Sequence, residues 1–109
     1  MKLLPKYFDY IKNGTKRIEL RLNDEKRKNI KIGDEIIFEE LCDNPRYLKA
    51  KVIDLYYADT FSELIDRFNI EIIASNDSTK EELINVLNEI YPQEKQQKYG
   101  AVGIKIELI

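Results

Sequence analysis

GTKRIELRL, residues Gly14 to Leu22, alternates in a way that decides the fold. Ile18, Leu20 and Leu22 fall on one side of an extended chain and Arg17, Glu19 and Arg21 on the other, the two-residue period of a half-buried strand from Thr15 to Leu22. Lys16 shares the parity of the apolar set. A strand that is regular from its first residue therefore aims this lysine at the interior side, where it either snorkels at the rim or reaches into a cavity. Such dense charge has two explanations: a solvated sheet edge, or a polar cleft that the strand presents to a ligand.

The segments on either side supply the rest of a small sheet. Upstream, Pro5 at a first-turn position, Tyr7, Phe8 and Ile11 at helical spacing and the Asn13-Gly14 stop predict a helix of about two turns that delivers the chain into the strand. Downstream, Asn23 to Asn29 is a charged connection and Lys31-Ile32-Gly33-Asp34 a turn into a second strand, Glu35 to Leu41. Asp43-Asn44-Pro45 turns the chain again, and Tyr47 to Tyr57 is β-branched enough for a third strand. Thr60-Phe61-Ser62-Glu63 has capping-box spacing and starts a helix over Phe61 to Phe68. A second start at Ser78 to Glu82 leads into Leu83, Val86, Leu87 and Ile90, an amphipathic stripe that ends at Tyr91-Pro92 and reads as a core contact. Val102, Ile104, Ile106 and Leu108 alternate to the C-terminus and predict a last strand that closes the sheet. The expected architecture is α+β and mainly β: a curled sheet or barrel flanked by about three helices.

At 109 residues the chain has room for one domain, residues 1–109, with one modest core. Its apolar runs are too short to span a bilayer and Pro5 interrupts the N-terminal apolar stretch, so the expectation is a cytoplasmic protein with no membrane partner. There is no His and one Cys, Cys42, which excludes a disulfide framework and Cys-His or Ser-His-Asp nucleophile sets. No metal or cofactor is expected, and acid or base chemistry falls to Lys, Asp, Glu or Tyr. The net charge of −2 hides an asymmetry: residues 1–57 carry 13 basic against 10 acidic side chains, and residues 58–109 carry 5 against 10. Between Lys12 and Lys31 the balance is 8 basic to 3 acidic, so positive charge gathers around the motif while the acidic second half opposes non-specific binding to long duplexes. Among the aromatic residues, periodicity assigns Tyr7, Phe8, Phe38, Phe61 and Phe68 to the core and leaves Tyr47, Tyr91 and Tyr99 open for stacking.

Gly14-Thr15-Lys16-Arg17-Ile18-Glu19-Leu20-Arg21 resembles the G-x-K-x-x-E-x-R signature of the ASCH domain family. The Ile32-Gly33-Asp34 turn, the Ile90-Tyr91-Pro92 helix end and the Tyr99 to Ile104 segment follow in that family's order, so the similarity spans essentially the whole chain. It implies a PUA-like β-barrel with a cleft lined by Lys16, Glu19 and Arg21, and RNA or a nucleotide-like small molecule, including a modified nucleoside, as the partner. Gly14, Thr15, Asn76 and Tyr91 complete the candidate ligand-binding set. Some bacterial members resemble amidohydrolases that remove the acetyl group from the exocyclic amine of cytidine. The resemblance places their catalytic lysine at Lys16, their threonine at the position held here by Glu19, and their glutamate near Asn76 with Asp77 adjacent. Lys16, Glu19 and Asp77 are therefore the catalytic candidates if the protein is an enzyme. A third reading is an interaction module with no ligand in its cleft.

Overall fold

A computed structural model describes all of residues 1–109. Its elements in chain order are β1 (Lys2–Leu3), α1 (Pro5–Lys12), β2 (Ile18–Leu22), β3 (Glu35–Glu40), β4 (Tyr47–Ala58), α2 (Phe61–Ile65), α3 (Ile70–Ile73), α4 (Lys80–Ile90), α5 (Gln93–Tyr99) and β5 (Ala101–Leu108). The five strands form one curled sheet in the order β1-β3-β4-β5-β2, antiparallel except for the parallel β1-β3 pair. The expected α+β curled sheet is what the chain adopts. The closing strand is a correction: β5 lies inside the sheet between β4 and β2, and the open edges belong to β1 and β2.

Five helices, not about three, surround this sheet. The Phe61 to Phe68 segment is helical only to Ile65; a turn through Asp66 to Phe68 precedes the separate α3. Pro92 ends α4 as expected but also starts α5, because a ring that fixes φ near −65° and lacks an N–H is disfavoured inside a helix and favoured at its start. Thr60 accepts from the Glu63 N–H to cap α2, and Thr79 and Glu82 form a full capping box at α4.

Two cores result. Leu3, Phe8, Ile11, Ile36, Phe38, Val52, Val102, Ile104 and Ile106 fill the concave side of the sheet, with α1 closing it. Ile18, Leu20 and Leu22 point to the opposite side and pack with Phe61, Leu64, Ile65, Ile73, Leu83 and Leu87 of α2, α3 and α4. Gly103 permits this second contact, since a Cβ there would come within 3.2 Å of the Ile18 side chain. The strand β2 is thus covered on both faces and is not half-buried. Its charged residues share a face with Ile104 and Val102, their register partners, and so look into the concave side.

Candidate functional site

The motif strand begins at Ile18, three residues later than its alternation implies. Gly14 adopts φ +85°, a left-handed conformation that costs glycine little, and turns the chain out of α1. The Thr15 N–H donates to Oδ1 of Asn13 at 2.9 Å and the Lys16 N–H to the Tyr10 carbonyl at 3.0 Å, so Thr15 and Lys16 belong to the turn. This irregular approach releases Lys16 from strand parity. Its side chain swings to the Glu19 side and is only 3% exposed.

Hydrogen-bond direction explains why the charges are there. The Ile106 N–H donates to Arg17 O and the Asn23 N–H to Gly100 O, so odd-numbered residues of β2 pair with β5 and even-numbered ones turn N–H and C=O toward the open edge. No sixth strand serves that edge. Instead the Lys16 ammonium donates to Ile18 O at 2.8 Å, and Glu19 Oε1 accepts from the Leu20 N–H at 3.2 Å. Lys16 also donates to Ile73 O at the end of α3, at 2.7 Å, which ties that helix to the strand. Buried backbone groups left unpaired are costly, so two motif side chains do the work of a missing ladder.

Lys16 Nζ lies 3.4 Å from Glu19 Oε1, while Oε2 accepts from Arg21 Nε at 3.0 Å and Nη2 at 2.8 Å. Arg21 Nη2 also donates to Lys2 O at 2.7 Å and so bridges the two open edges of the sheet, β2 to β1. Burial pulls the Arg21 pKa down, but Glu19 and then the Tyr91 side chain, each by charge and hydrogen bonding, outweigh it and raise it. Burial raises the carboxyl of Glu19, but the two cations outweigh it and hold its pKa below the usual carboxylate value. Burial draws the Lys16 pKa down, opposed by Glu19. Two cations and one carboxylate leave one net positive charge in a largely dry site.

This triad forms one wall of a cavity of about 400 Å³, a volume typical of small-ligand pockets. It opens where β1 and β2 fail to meet. The rest of the lining is mostly apolar, from Leu3 of β1, Leu4 beside it, Leu41, and Leu83, Val86, Leu87 and Ile90 of α4. Tyr7 and Tyr91 supply the aromatic surface. The Tyr91 ring stacks on buried Phe61 at 5.5 Å between centroids, and the Lys16 ammonium sits 5.7 Å from the Tyr7 ring centre. Burial, with neighbouring Tyr10 and Glu19, raises the Tyr7 pKa, so the phenol stays neutral.

Of the residues selected from sequence, the structure brings Lys16, Glu19, Arg21 and Tyr91 together. Gly14 and Thr15 lie outside the cavity and shape the turn that feeds it. Asn76 and Asp77 sit on an exposed turn between α3 and α4 and do not line it. Tyr7 is the residue sequence reasoning missed. Its helical spacing matched core packing, and only the half-burial left by the gap between β1 and β2 distinguishes it from Phe8. No group of His, Cys, Asp and Glu is arranged to hold a metal ion, and no helix is long and apolar enough to cross a membrane.

The chain is similar to two solved structures along its full length. The crystal structure of hypothetical protein PH0355 is 39% identical, superposes with a TM-score of 0.87, and is matched over 100% of this chain and 96% of that one. The solution NMR structure of protein PF0455 from Pyrococcus furiosus is 32% identical with a TM-score of 0.73, over 100% and 98% of the two chains. No functionally curated protein matches the sequence. The ASCH domain family matches residues 1–109, the same span that holds the signature strand, the curled sheet and the cavity at its seam; the chain belongs to the ASCH domain family.

Proposed function

We propose that the protein binds a nucleotide-like ligand, free or as part of an RNA strand, in the cavity between β1, β2 and α4. The observation that carries this reading is the net positive triad, its Arg21 guanidinium beside the Tyr91 side chain, in the wall of an otherwise largely apolar and aromatic pocket. Arginine presents a planar fork suited to a phosphate or a base carbonyl, and Tyr91 and Tyr7 offer ring surface to a base. A full negative charge 4 Å from the net cation would gain roughly 4 kcal/mol at an effective dielectric of 20, before its own desolvation is counted. The family's general link to RNA binding supports the same class of partner.

Binding is favoured over turnover by the state of Lys16. Its three ammonium protons face three acceptors, Ile18 O, Ile73 O and Glu19 Oε1, so its lone pair is not presented to a substrate. A thermal-shift screen of nucleosides, acetylated cytidine, nucleoside monophosphates and short single-stranded RNAs tests the proposal. A true ligand at 100 times its Kd adds about 2.7 kcal/mol of stability to the wild type. Arg21→Lys, which keeps the charge and loses the fork, should lose most of that gain; Tyr91→Phe checks the pocket with less disturbance of the fold. An unshifted wild type, or equal shifts in wild type and Arg21→Lys, would overturn the assignment. Chromatographic detection of cytidine released from the acetylated nucleoside would replace binding with hydrolysis.

A further inference from the structure

The second groove of the molecule lies at the far end of β2, where Asn23 meets the β4-α2 turn and the C-terminus of α5. Its volume is about 640 Å³ and its lining is about half polar, far more so than that of the first cavity. Tyr57 and Tyr99 contribute aromatic rings, Thr60 a hydroxyl, and Asp59 the only acidic group. Two lysines converge on one ring: Nζ of Lys98 is 5.1 Å and Nζ of Lys28 is 5.7 Å from the centre of Tyr99. Lys28 comes from the β2-β3 connection, which folds back to the Tyr99 ring beside this groove; its ammonium also pairs with exposed Glu25 at 3.5 Å.

Tyr99 is held in place by its neighbours. Gly100 follows it at φ +73°, and a Cβ on that glycine would lie 2.9 Å from Ala58 O, so the backbone passes β4 in near contact. The Gly100 N–H donates to Gln96 O, and Gly100 O accepts from the Asn23 N–H. Buried Gln96 donates through Nε2 to Tyr91 O at 2.9 Å and to Asn88 Oδ1 at 3.0 Å. Helix α5 is consequently a strut with cavity-lining Tyr91 just before it and Tyr99 at its end, its seven residues spanning roughly 10 Å. On the strand side, Arg21 and Asn23 are two residues apart, about 7 Å.

We propose that Tyr99, flanked by Lys28 and Lys98, is a second nucleotide subsite that takes a base and its phosphates from a single-stranded polynucleotide whose neighbouring portion occupies the Arg21 cavity. The inference rests on the cavity reading above and extends it from a single ligand residue to a strand. A base stacks on the phenol ring while the ammonium groups move from the ring to phosphate oxygens, exchanging exposed cation–π contacts for a stack and ion pairs. Duplexes are excluded in this mode because their bases have no free faces.

The test compares a nucleoside monophosphate, followed by thermal shift, with a fluorescein-labelled single-stranded octaribonucleotide, followed by anisotropy. Tyr99→Leu should raise the octamer Kd about tenfold, Tyr99→Phe should restore it, and the monophosphate shift should stay as in wild type. The double variant Lys28→Ala, Lys98→Ala should reduce the slope of log affinity against log salt by about 1.4. If the monophosphate still binds but Tyr99→Leu and wild type hold the octamer within twofold of each other, the subsite is refuted and the cavity stands. If neither probe binds the wild type, the cavity reading fails and takes the subsite with it.

Discussion

Replacing Glu19 by glutamine tests the electrostatic account of the site most directly. Glutamine keeps the shape and an oxygen acceptor for the Leu20 N–H, yet removes the only anion between Lys16, 3.4 Å away, and Arg21, 2.8 Å away. Both Glu19 and Lys16 are more than nine-tenths buried, so solvent cannot replace the lost charge. Removing one partner of a buried pair typically costs 3–5 kcal/mol, and the retained hydrogen bond puts this variant at the lower end, about 3 kcal/mol. For a domain of this size the melting temperature should fall by more than roughly 10 °C. Urea denaturation at pH 7 measures the loss. Lys16→Met alone should also destabilise, but the double variant should cost less than the sum by over about 1 kcal/mol, because the two groups compensate each other. The pH dependence has a definite sign. The folded carboxyl of Glu19 titrates below its unfolded value of 4.5, so its contribution is complete above pH 4.5 and fades as pH falls through the folded pKa. Glu19→Gln should lack that part of the acid transition. A loss below about 1 kcal/mol with additive double-variant energies would equate the triad with surface ion pairs and refute the reasoning.

Gly100→Ala should cost about 2 kcal/mol or more, since it combines a positive φ with a Cβ 2.9 Å from Ala58 O; a urea midpoint equal to wild type would contradict the close approach. Thr79→Ala removes the hydroxyl that accepts from the Glu82 N–H in the α4 capping box, while the backbone N–H of residue 79 still donates to Glu82, and should cost about 1 kcal/mol by the same measurement, with faster amide exchange confined to the first turn of α4. Hydrogen bonds from Arg46 hold Glu40 down to about 2, so its stabilising contribution is present above pH 4.5 and disappears as pH falls toward 2. Carbon-detected titration should show that carboxyl returning toward 4.5 in Arg46→Ala.

The sheet was legible because its strands announce themselves locally. Glu35 to Glu40 and Tyr47 to Ala58 match their expected spans to within a residue, and both capped helices start within the Thr60 to Glu63 and Ser78 to Glu82 stretches that predict them. Local pattern failed where a partner distant in sequence decides the outcome. The strand β1 has only two residues and exists because Lys2 and Leu3 pair with Glu39 and Glu40. Residues Ile70–Ile73 form α3 beside the edge of β2, where the Arg17 N–H donates to Ile72 O at 2.7 Å. Pro92 signalled the end of one helix but gave no separate sign that it also opened α5.

The sequence by itself determined that one strand carries Glu19 and Arg21 interleaved with a core-facing set, because side-chain alternation is a property of the extended backbone; Lys16 lies just ahead of that strand, where alternation no longer places it. It also determined that glycine at position 14 releases the chain into that strand, and that histidine chemistry is absent. Only the tertiary structure decided what the charges do. The strand order puts β2 at an open edge, and an edge exposes unpaired N–H and C=O groups that Lys16 and Glu19 then satisfy. The curl brings β1 close enough for Arg21 to reach Lys2 O, leaving a gap that α4 roofs with Leu83 and Leu87. It likewise leaves Tyr7 only partly buried against the core, with Asp77 outside the cavity. Alternation is written in neighbouring residues, whereas a cavity is a relation between surfaces that meet only after the sheet has curled.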